Sequence, residues 1–448
     1  MVKESYLAQF YGKSQNYTEI PNKWYKEYNV KKGLRNEDGT GVRVGLTRIT
    51  DVVGYDKNEE TGAVTGIPGK LYYRGYDVEE LVKGKFRSHF GFEEVCFLLL
   101  FGYLPKKSEF DNFCSIIRDY YQLPDEFVEM NLLRMPGRNL MNKLQEAVLT
   151  LYNYDSDADN TDVYETLVKG INLLAKLPSI SCYAYQSKVH YYDRDSLFIH
   201  YANPSYSIAE NFLSVLRKDQ SFTDMEARML DTVLMLHADH GGGNNSTFTN
   251  VVISSTGTDI YSTVCGSIGS LKGPRHGGAN IRVSEMMDVV LEEAEGYGAS
   301  DETLRRIAGD LLDGKLFDHS GLIYGFGHAV YTVSDPRAEI LRGCCKLMAK
   351  EKNCMEQFDF RVRFEQAAQA VMQERKGESF PTNVDYYSGF VYEMLNIPRD
   401  LYTPLFVCAR IVGWVAHNVE NKLYDGRIMR PATKYVGEKM EYEKMEDR

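Results

Sequence analysis

The segment from Thr223 to His240 predicts an amphipathic α-helix that leads directly into a run of glycines. Thr223 and Glu226 form a capping-box pattern, in which two side chains bond the free backbone N–H groups at a helix start. Apolar residues then recur at the spacing of one helix face, and His237 and His240 continue that face. Residues 241–243 are all glycine, which ends a helix and lets backbone approach a ligand closely. Two histidines are therefore expected to face inward at the end of a buried helix.

Helical patterns dominate the chain after residue 80, whereas residues 40–80 are rich in strand and turn signals. Within this early segment, residues 62–70 predict a hairpin tip and residues 71–74 a strand. Further helices are predicted over residues 92–102, 143–151, 283–294, 301–312, 335–350, 358–372 and 404–423. The predicted fold class is therefore mainly α, with a small β-rich segment near the N-terminus.

A chain of 448 residues is long enough to divide into two domains. Glycine-rich turns bracket residues 277–390, which we predict to be a separate, smaller helical domain. Residues 1–276 would form the first part of a large helical domain that includes the β-rich segment at 40–80. Residues 391–448 would return to the large domain and end in a basic tail.

The charge and the cysteine content narrow the class of protein. A formal net charge of -11 argues against nucleic-acid and membrane-surface roles, so an anionic substrate would need a locally basic pocket. The eight cysteines include no Cys-x-x-Cys pair, which favours reduced thiols in the cytoplasm. The N-terminal residues carry no apolar or arginine-rich targeting signal, and the apolar runs are too short or too interrupted to span a bilayer.

Arg410 lies in the middle of an apolar segment, residues 405–415, that a helix would bury on nearly all sides. An unpaired buried charge is strongly unfavourable, so the guanidinium must meet an anion, which is either a protein carboxylate or a bound ligand. Arg337 and Arg430 each lie beside a proline in a short rigid context, where a single arginine is more often structural. Together the three arginines would form a pocket for a di- or tricarboxylate.

His276, His328 and Asp385 have the character of groups that move protons. Each histidine lies in a tight glycine turn that can point its ring into a cleft. Asp385 stands among valine and tyrosine residues, which would oppose ionisation and raise its pKa toward that of a useful base. The alternative for Asp385 is a helix cap, because an Asp-x-x-Ser pattern begins there.

His237 and His240, with Asp239 between them, also allow a metal site, because histidines three residues apart can share one cation. No third ligand at a suitable spacing is evident, and no His-Glu-x-x-His motif occurs. For His237 we favour a core histidine bonded to backbone. A metal-dependent hydrolase built on these residues and His276 is a remote alternative, and we predict a site without a metal.

Five motifs in the second half of the chain resemble, in sequence and in order, those of the citrate synthase family. They are His-Ala-Asp-His-Gly-Gly-Gly-Asn from 237, Lys-Gly-Pro-Arg-His-Gly-Gly-Ala-Asn from 272, Gly-Phe-Gly-His-Ala-Val with Asp-Pro-Arg from 325, Asn-Val-Asp-Tyr-Tyr-Ser-Gly from 383, and Ala-Arg…Gly-Trp…His from 409. An earlier match, Tyr-Arg-Gly-Tyr-Asp-Val-Glu-Glu-Leu from 73, extends the resemblance over most of the chain. Each motif alone is weak, but five in the family's order are specific.

The resemblance implies a mostly helical fold with a large and a small domain, a homodimer, and condensation of acetyl-CoA with oxaloacetate to give citrate and CoA. Asp385 would remove a methyl proton, His276 would hydrogen-bond the thioester oxygen, and His328 would polarise the oxaloacetate carbonyl and protonate the new alkoxide. Acetyl-CoA would be a co-substrate, and no cofactor would be permanently bound. The residues that would bind oxaloacetate are His240, Asn244, Arg337, Arg410 and, from the neighbouring subunit, Arg430. The residues that would contact CoA are Gly325, Gly327, Ala329 and Lys376.

The details of CoA binding and the choice of acyl group stay open. Many bacterial relatives carry a basic residue directly after the histidine of the Gly-x-Gly-His turn or a few positions on, where this chain has Ala329 and Thr332. Lys376 is a candidate to compensate, and Arg275 adds a local charge. The nearest alternative function is 2-methylcitrate synthase, which uses propionyl-CoA, since one methylene shifts preference by only about 1–3 kcal/mol. A non-catalytic metabolite-binding relative is a third possibility, although all three proton-handling positions are filled.

Overall fold

The computed structural model describes residues 2–58, 60–86, 90–378, 380–424 and 426–447. The chain forms two compact units, of which the smaller consists of Met1–Gly45 and Met429–Arg448 and the larger of Leu46–Ile428. The smaller unit contains the helices α1 (Val2–Thr18) and α2 (Lys23–Glu27). It also contains the short 3-10 turns Lys32–Leu34 and Met445–Asp447.

The larger unit is mainly α-helical, which confirms the predicted fold class. Its helices are α3 (Val78–Lys85), α4 (Gly91–Phe101), α5 (Lys107–Asp119), α6 (Leu140–Tyr152), α7 (Val163–Lys188), α8 (Ile208–Leu216), α9 (Asp224–His237), α10 (Asn245–Ser254), α11 (Ile260–Leu271), α12 (Ala279–Glu293), α13 (Asp301–Leu312), α14 (Pro336–Glu351), α15 (Met355–Lys376), α16 (Val384–Met394) and α17 (Tyr402–Leu423), with short π or 3-10 turns at Val128–Leu133, Val189–Asp193 and Arg399–Leu401. The predicted smaller domain, residues 277–390, lies wholly within this unit, and its independence stays a prediction. No helix among the described residues is long and apolar enough to cross a bilayer.

Helix α9 begins as predicted. The Thr223 hydroxyl accepts the N–H of Glu226, and the Glu226 carboxylate accepts the N–H of Thr223, which closes the capping box. The helix ends before His240, so the prediction that it extends that far is wrong. The N–H of Asp239 donates to the buried Tyr73 hydroxyl instead of to a helical carbonyl, and the chain turns there. His240 therefore lies in the turn that follows α9.

A small antiparallel sheet precedes the helices of the larger unit. Its strands lie in the order β1 (Thr50–Lys57), β2 (Val64–Tyr73) and β3 (Tyr76–Asp77). The register pairs Thr50 with Tyr73. The β-rich segment at 40–80 is thus confirmed, and β1 and β2 form a hairpin. Residues 62 and 63 lie in its connection, but residues 64–70 lie within β2, so most of the predicted hairpin tip at 62–70 is wrong.

The glycines of β2 serve close packing rather than a turn. A Cβ on Gly66 would collide with the Thr332 side chain, and a Cβ on Gly69 would collide with the Ser334 carbonyl. The Thr332 hydroxyl also donates to the carbonyl of Gly54 on β1 (2.9 Å). The sheet therefore braces the loop that leads into α14, and the missing side chains allow that close approach.

Helix α17 passes through the core of the larger unit. Every residue from Tyr402 to Val419 is buried, and the helix packs against α4, α7, α9, α10 and α11. Burial on all sides follows from its apolar sequence and confirms the predicted helix. Arg410, at the middle of this helix, is fully buried.

Candidate active site

Two histidines, a tyrosine and an arginine meet where the turn after α9 faces the loop before α14. The His240 ring lies 4.9 Å from the His328 ring and 5.5 Å from the Tyr331 ring, both nearly edge to face. His328 stacks on Tyr331 with their ring centres 4.7 Å apart. The Arg337 guanidinium lies 5.6 Å from the centre of the same tyrosine ring. Residues far apart in the sequence thus form one cluster.

Asp335 fixes Arg337 and ties it to a neighbouring helix. Its carboxylate accepts hydrogen bonds from Arg337 Nε (3.0 Å) and Nη2 (2.7 Å), which is the forked geometry of a strong ion pair. Both side chains are buried. The same carboxylate accepts the N–H of Val384 at the start of α16 (3.2 Å). Arg337 is therefore held in a fixed relation to the helix that carries Asp385.

Arg410 has two buried donor groups without a partner among the described residues. Its Nε donates to the His237 carbonyl (2.7 Å), whereas Nη1 and Nη2 bond nothing in these ranges. Burial lowers its pKa to about 10, so the guanidinium is still charged at pH 7. A structural ion pair with a protein carboxylate was the alternative, and no such carboxylate bonds Arg410 within the described chain. The unfilled fork has the geometry to bind a carboxylate from a ligand.

Ser246 links His276 to α17. Trp414 Nε1 donates to the Ser246 hydroxyl oxygen (3.1 Å), and His276 Nε2 lies 3.1 Å from the same oxygen. Because an indole N–H can only donate, the single hydroxyl proton of Ser246 is left for His276 Nε2 or for Asn244 Oδ1 (2.9 Å). When His276 Nε2 accepts that proton, the neutral ring carries its own proton on Nδ1. Burial, reinforced by Arg410, lowers the pKa of His276 to about 4, so this ring is neutral at pH 7.

Backbone hydrogen bonds set the tautomer of His328. Its Nδ1 accepts the N–H groups of Val330 (3.0 Å) and Tyr331 (3.1 Å). A neutral imidazole whose Nδ1 accepts carries its proton on Nε2, so His328 presents a donor there. The neighbouring His240 has no partner for Nε2 in the described ranges, and burial lowers its pKa.

Asp385 is the second residue of α16 and does not cap it. Its own N–H donates to the side chain of Asn383, which is the cap, so the helix-cap alternative for Asp385 is wrong. Asp385 Oδ1 is buried and has no hydrogen-bond partner among the described residues. Burial raises the pKa of Asp385 to about 7, with Arg337 and Arg410 opposing the shift. A carboxylate with such a pKa is suited to take a proton near neutral pH.

A backbone clasp holds the His328 turn against the start of α16. Gly325 and Gly327 adopt φ of 85° and 78°, in the left-handed region that favours glycine. Asn383 N–H donates to the Gly325 carbonyl (2.9 Å), and its side-chain amide donates to the Gly327 carbonyl (3.0 Å). Because Asn383 also caps the helix of Asp385, the clasp sets the spacing between Asp385 and His328.

The remaining candidate residues are Asn244, Ala329, Lys376 and Arg430. Asn244 caps α10, since its Oδ1 accepts the N–H of Ser246 (3.3 Å). Ala329 is exposed, and so is Lys376, whose Nζ lies 5.3 Å from the centre of the Phe380 ring. Arg430 belongs to the smaller unit and is exposed there.

The histidines at the end of α9 do not assemble a metal site. His237 is a core residue that stacks on Phe406 at 4.2 Å, but its ring nitrogens bond nothing in the described chain, so the expected backbone bond is wrong. Asp239 bonds His417 Nε2 (3.1 Å) and the N–H of Gly241 (3.0 Å). Across the described residues, no three His, Cys, Asp or Glu side chains converge as a ligand set. The metal-dependent hydrolase hypothesis therefore has no supporting geometry.

Three residues that organise the site receive no role from the sequence alone. Asn383 precedes an apolar helix and carries a recognisable N-cap signal. Asp335 directly precedes Pro336 at a helix start, which is also typical of a cap. Ser246 carries no such signal, because its contact with His276 joins residues that are 30 positions apart.

The chain matches proteins of known class along most of its length. The family model described as citrate synthase, C-terminal domain, matches residues 37–432. The chain is 35% identical over 382 residues to the citrate synthase of Haloferax volcanii. That match covers 84% of this chain and 92% of the other protein. It is 33% identical over 386 residues to the 2-methylcitrate synthase of Shewanella oneidensis, and this match covers 86% of this chain and 93% of the other protein.

Solved structures give the same family. A citrate synthase from Thermoplasma acidophilum, solved as a ternary complex with carboxymethyl coenzyme A and oxaloacetate, is similar with a TM-score of 0.74 and 25% identity. That match covers 91% of this chain and 97% of the other. The citrate synthase of Pyrobaculum aerophilum is similar with a TM-score of 0.73 and 28% identity, covering 91% and 94%.

Proposed function

The chain belongs to the citrate synthase family, and on that premise we propose that it condenses acetyl-CoA with oxaloacetate and water to give citrate and CoA. The observation that carries the proposal is the pair of unfilled, buried donors on Arg410 in the same cluster of charges as the unpartnered Asp385 oxygen. The Arg410 donors suit a small carboxylate, and the Asp385 carboxylate suits proton removal. Relatives of both acyl specificities match this chain, so 2-methylcitrate synthesis from propionyl-CoA is the second candidate.

Oxaloacetate would be held by its two carboxylates. Nη1 and Nη2 of Arg410 would receive one of them, and Arg337 with His240 would receive the other, with Asn244 alongside. The similar protein from Thermoplasma acidophilum was solved with oxaloacetate bound, which supports this substrate class. His328, with its proton on Nε2, would donate to the keto oxygen and make that carbonyl carbon more electrophilic.

The thioester would be activated by a base and a donor acting together. Asp385 would take a proton from the acetyl methyl group, while His276 Nδ1–H would donate to the thioester oxygen, where negative charge develops. A methyl thioester is a very weak acid, so the base alone is insufficient. A positioned donor of this kind contributes about 3–4 kcal/mol in comparable sites. The product of this step is an enol of acetyl-CoA.

Condensation and hydrolysis complete the reaction. The enol carbon would form a C–C bond to the keto carbon while the enol O–H returns its proton to His276 and the thioester carbonyl re-forms. The alkoxide would take the Nε2 proton of His328 to give citryl-CoA. Water would then attack the thioester carbonyl, the C–S bond would break, and CoA would leave as the thiol with a proton from that water. Water must enter only after the C–C bond forms, which suits a cleft that closes over its substrates.

The direct test is a thiol-release assay with oxaloacetate and either acetyl-CoA or propionyl-CoA. We expect the larger kcat/KM with acetyl-CoA. A larger value with propionyl-CoA would favour 2-methylcitrate synthesis over the first proposal. Oxaloacetate binding without thiol release from either thioester would indicate a metabolite-binding relative and reject both.

The pH dependence should follow the carboxyl group of Asp385. A base must be deprotonated to act, and its pKa in the free protein is about 7, so kcat/KM for acetyl-CoA is expected to fall as pH drops below about 7. His276 has a pKa of about 4 and stays neutral across this range. Steady-state rates from about pH 5 to 9 measure the profile. A kcat/KM that stays constant below about pH 7 would contradict a base with a raised pKa.

Ser246→Ala is expected to lower kcat roughly tenfold or more, because His276 then loses the hydroxyl that its Nε2 contacts and that holds its ring. Ser267→Ala is the matched control. Ser267 is equally buried, and its hydroxyl donates to the Thr263 carbonyl on its own helix. Steady-state turnover of both variants with saturating substrates tests the assignment. Wild-type kcat in Ser246→Ala would remove the serine from the mechanism.

The wider assignments extend from the same premise. We propose a homodimer in which Arg430 of one subunit reaches the neighbouring site, and CoA contacts at Gly325, Gly327, Ala329 and Lys376. Acetyl-CoA is then a co-substrate, and no resident cofactor or metal takes part. A cytoplasmic location is supported by the eight cysteines, all of which are free thiols.

A further inference from the structure

A buried glutamate on α15 bonds two residues that flank Asp385 in the chain. Glu365 is 5% exposed. Thr382 Oγ1 donates to its Oε1 (2.6 Å), and the Tyr387 hydroxyl donates to its Oε2 (2.5 Å). The guanidinium of the half-exposed Arg342 lies 3.8 Å from the same carboxylate. Both carboxylate oxygens are therefore committed to hydrogen bonds with side chains.

The two donors lie on either side of the residue proposed as the base. Thr382 directly precedes the Asn383 cap, and Tyr387 lies one half-turn beyond Asp385 on α16. Thr382 also pairs with Phe326 in an isolated antiparallel bridge, inside the turn that ends at His328. One carboxylate thus anchors the strand-like entry to α16 and the first turn of the helix together.

Such an anchor matters most for a residue whose carboxylate oxygen has no hydrogen bond of its own. Asp385 Oδ1 has no hydrogen-bond partner among the described residues, so no side-chain bond fixes its direction. Its placement depends instead on the backbone of residues 382–387. Charge-assisted hydrogen bonds are shorter and stronger than neutral ones, and a displacement of about 1 Å can slow a reaction about 100-fold.

We propose that Glu365 is a positioning residue for the enolisation step. It holds the backbone on both sides of Asp385, so that the carboxylate meets the methyl group at the right distance from the His328 turn. The inference rests on the proposed function and assigns to that reaction a residue remote from the substrates. Glu365 itself touches no reacting atom in this assignment.

The test removes each anchor by a change that leaves the residue's shape intact. Thr382→Val and Tyr387→Phe each delete one hydroxyl that donates to Glu365. Tyr183→Phe is the control, because it likewise deletes one donating hydroxyl from a buried tyrosine, here one on α7 that bonds the His200 carbonyl (2.7 Å). Each protein is assayed for deuterium exchange into the methyl group of acetyl-CoA, with a non-reactive dicarboxylate in the oxaloacetate site.

Thr382→Val and Tyr387→Phe are expected to slow exchange and kcat by about 10- to 100-fold, with the dissociation constant for oxaloacetate unchanged. Tyr183→Phe should exchange at the wild-type rate. Glu365→Gln should recover most of the loss seen in Glu365→Ala, because an amide can accept from Thr382 and donate to Tyr387. Rates are expressed per oxaloacetate-binding site, so a fall in folded protein alone does not count.

Two outcomes distinguish a failure of the positioning role of Glu365 from a failure of the proposed function. Wild-type exchange rates in both hydroxyl variants, whatever their thermal stability, would overturn the positioning role of Glu365. If the wild-type protein itself neither exchanges the methyl protons nor releases thiol, the proposed function fails first. Should Glu365→Ala not fold, the two single-hydroxyl variants still decide the question.

Discussion

Replacing Asp385 with alanine is expected to slow thiol release from acetyl-CoA and oxaloacetate at least about 100-fold, the low end for loss of a positioned acid–base group. Asp385 Oδ1 is a buried carboxylate oxygen without a partner among the described residues, and burial raises the pKa of the group to about 7. The nearby Asp335 cannot take over, because both of its oxygens bond Arg337. A steady-state thiol assay measures the effect.

Asp288→Ala is the control for this substitution. Asp288 is an exposed aspartate on α12 that pairs with Arg399, and its loss should leave turnover near the wild-type value. Oxaloacetate should still bind to Asp385→Ala, because Arg337 and Arg410 are unaltered. Near-normal turnover in Asp385→Ala would overturn its role as the base.

Arg410→Met is expected to weaken oxaloacetate binding by about 2–5 kcal/mol, which is roughly 30-fold or more in the dissociation constant. The substitution removes the two donors that bond nothing in the described part of the ligand-free chain. It also replaces a buried charge by an apolar side chain of similar length, so the ligand-free protein should be as stable as the wild type or more stable. Calorimetric titration with oxaloacetate and thermal unfolding measure the two effects.

Arg410→Lys separates charge from geometry. A lysine keeps the positive charge but lacks the planar fork that binds a carboxylate through two N–H groups, so it should restore only part of the lost affinity. Full affinity in the lysine variant would show that charge alone holds the ligand. Unchanged affinity together with a large loss of stability in Arg410→Met would instead make Arg410 a structural residue.

The parts of the fold that the sequence predicts are those governed by local rules. The capping box of Thr223 and Glu226 depends on residues three positions apart, and it forms as expected. The buried helix around Arg410 follows from a continuous apolar run. The apolar neighbours of Asp385 likewise indicate an environment that opposes ionisation, in agreement with its raised pKa.

The predictions that are wrong concern places where contacts between distant segments determine the structure. Gly66 and Gly69 look like turn residues because glycine is common in turns, but here they lie in a strand that the loop before α14 contacts closely. Helix α9 stops before His240 because of a hydrogen bond to Tyr73, which is 166 positions from Asp239. No local pattern contains either contact.

The same reason limits what the sequence reveals of the site. Motifs identify His276, His328 and Asp385, but the contact that holds the His276 ring comes from Ser246, and two backbone N–H groups set the tautomer of His328. Glu365 belongs to no motif and is noticed only through its two hydrogen bonds. Residue types can be predicted from the chain, whereas the hydrogen-bond partners that give them their chemistry require the fold.

We propose that distant parts of the chain form one cationic site for a small keto-dicarboxylate. A crystal structure of the protein with oxaloacetate tests it most directly. We expect one carboxylate on Nη1 and Nη2 of Arg410, the other at Arg337 and His240, and the keto oxygen within hydrogen-bond distance of His328 Nε2. Oxaloacetate bound elsewhere, with the Arg410 donors still unfilled, would contradict the account.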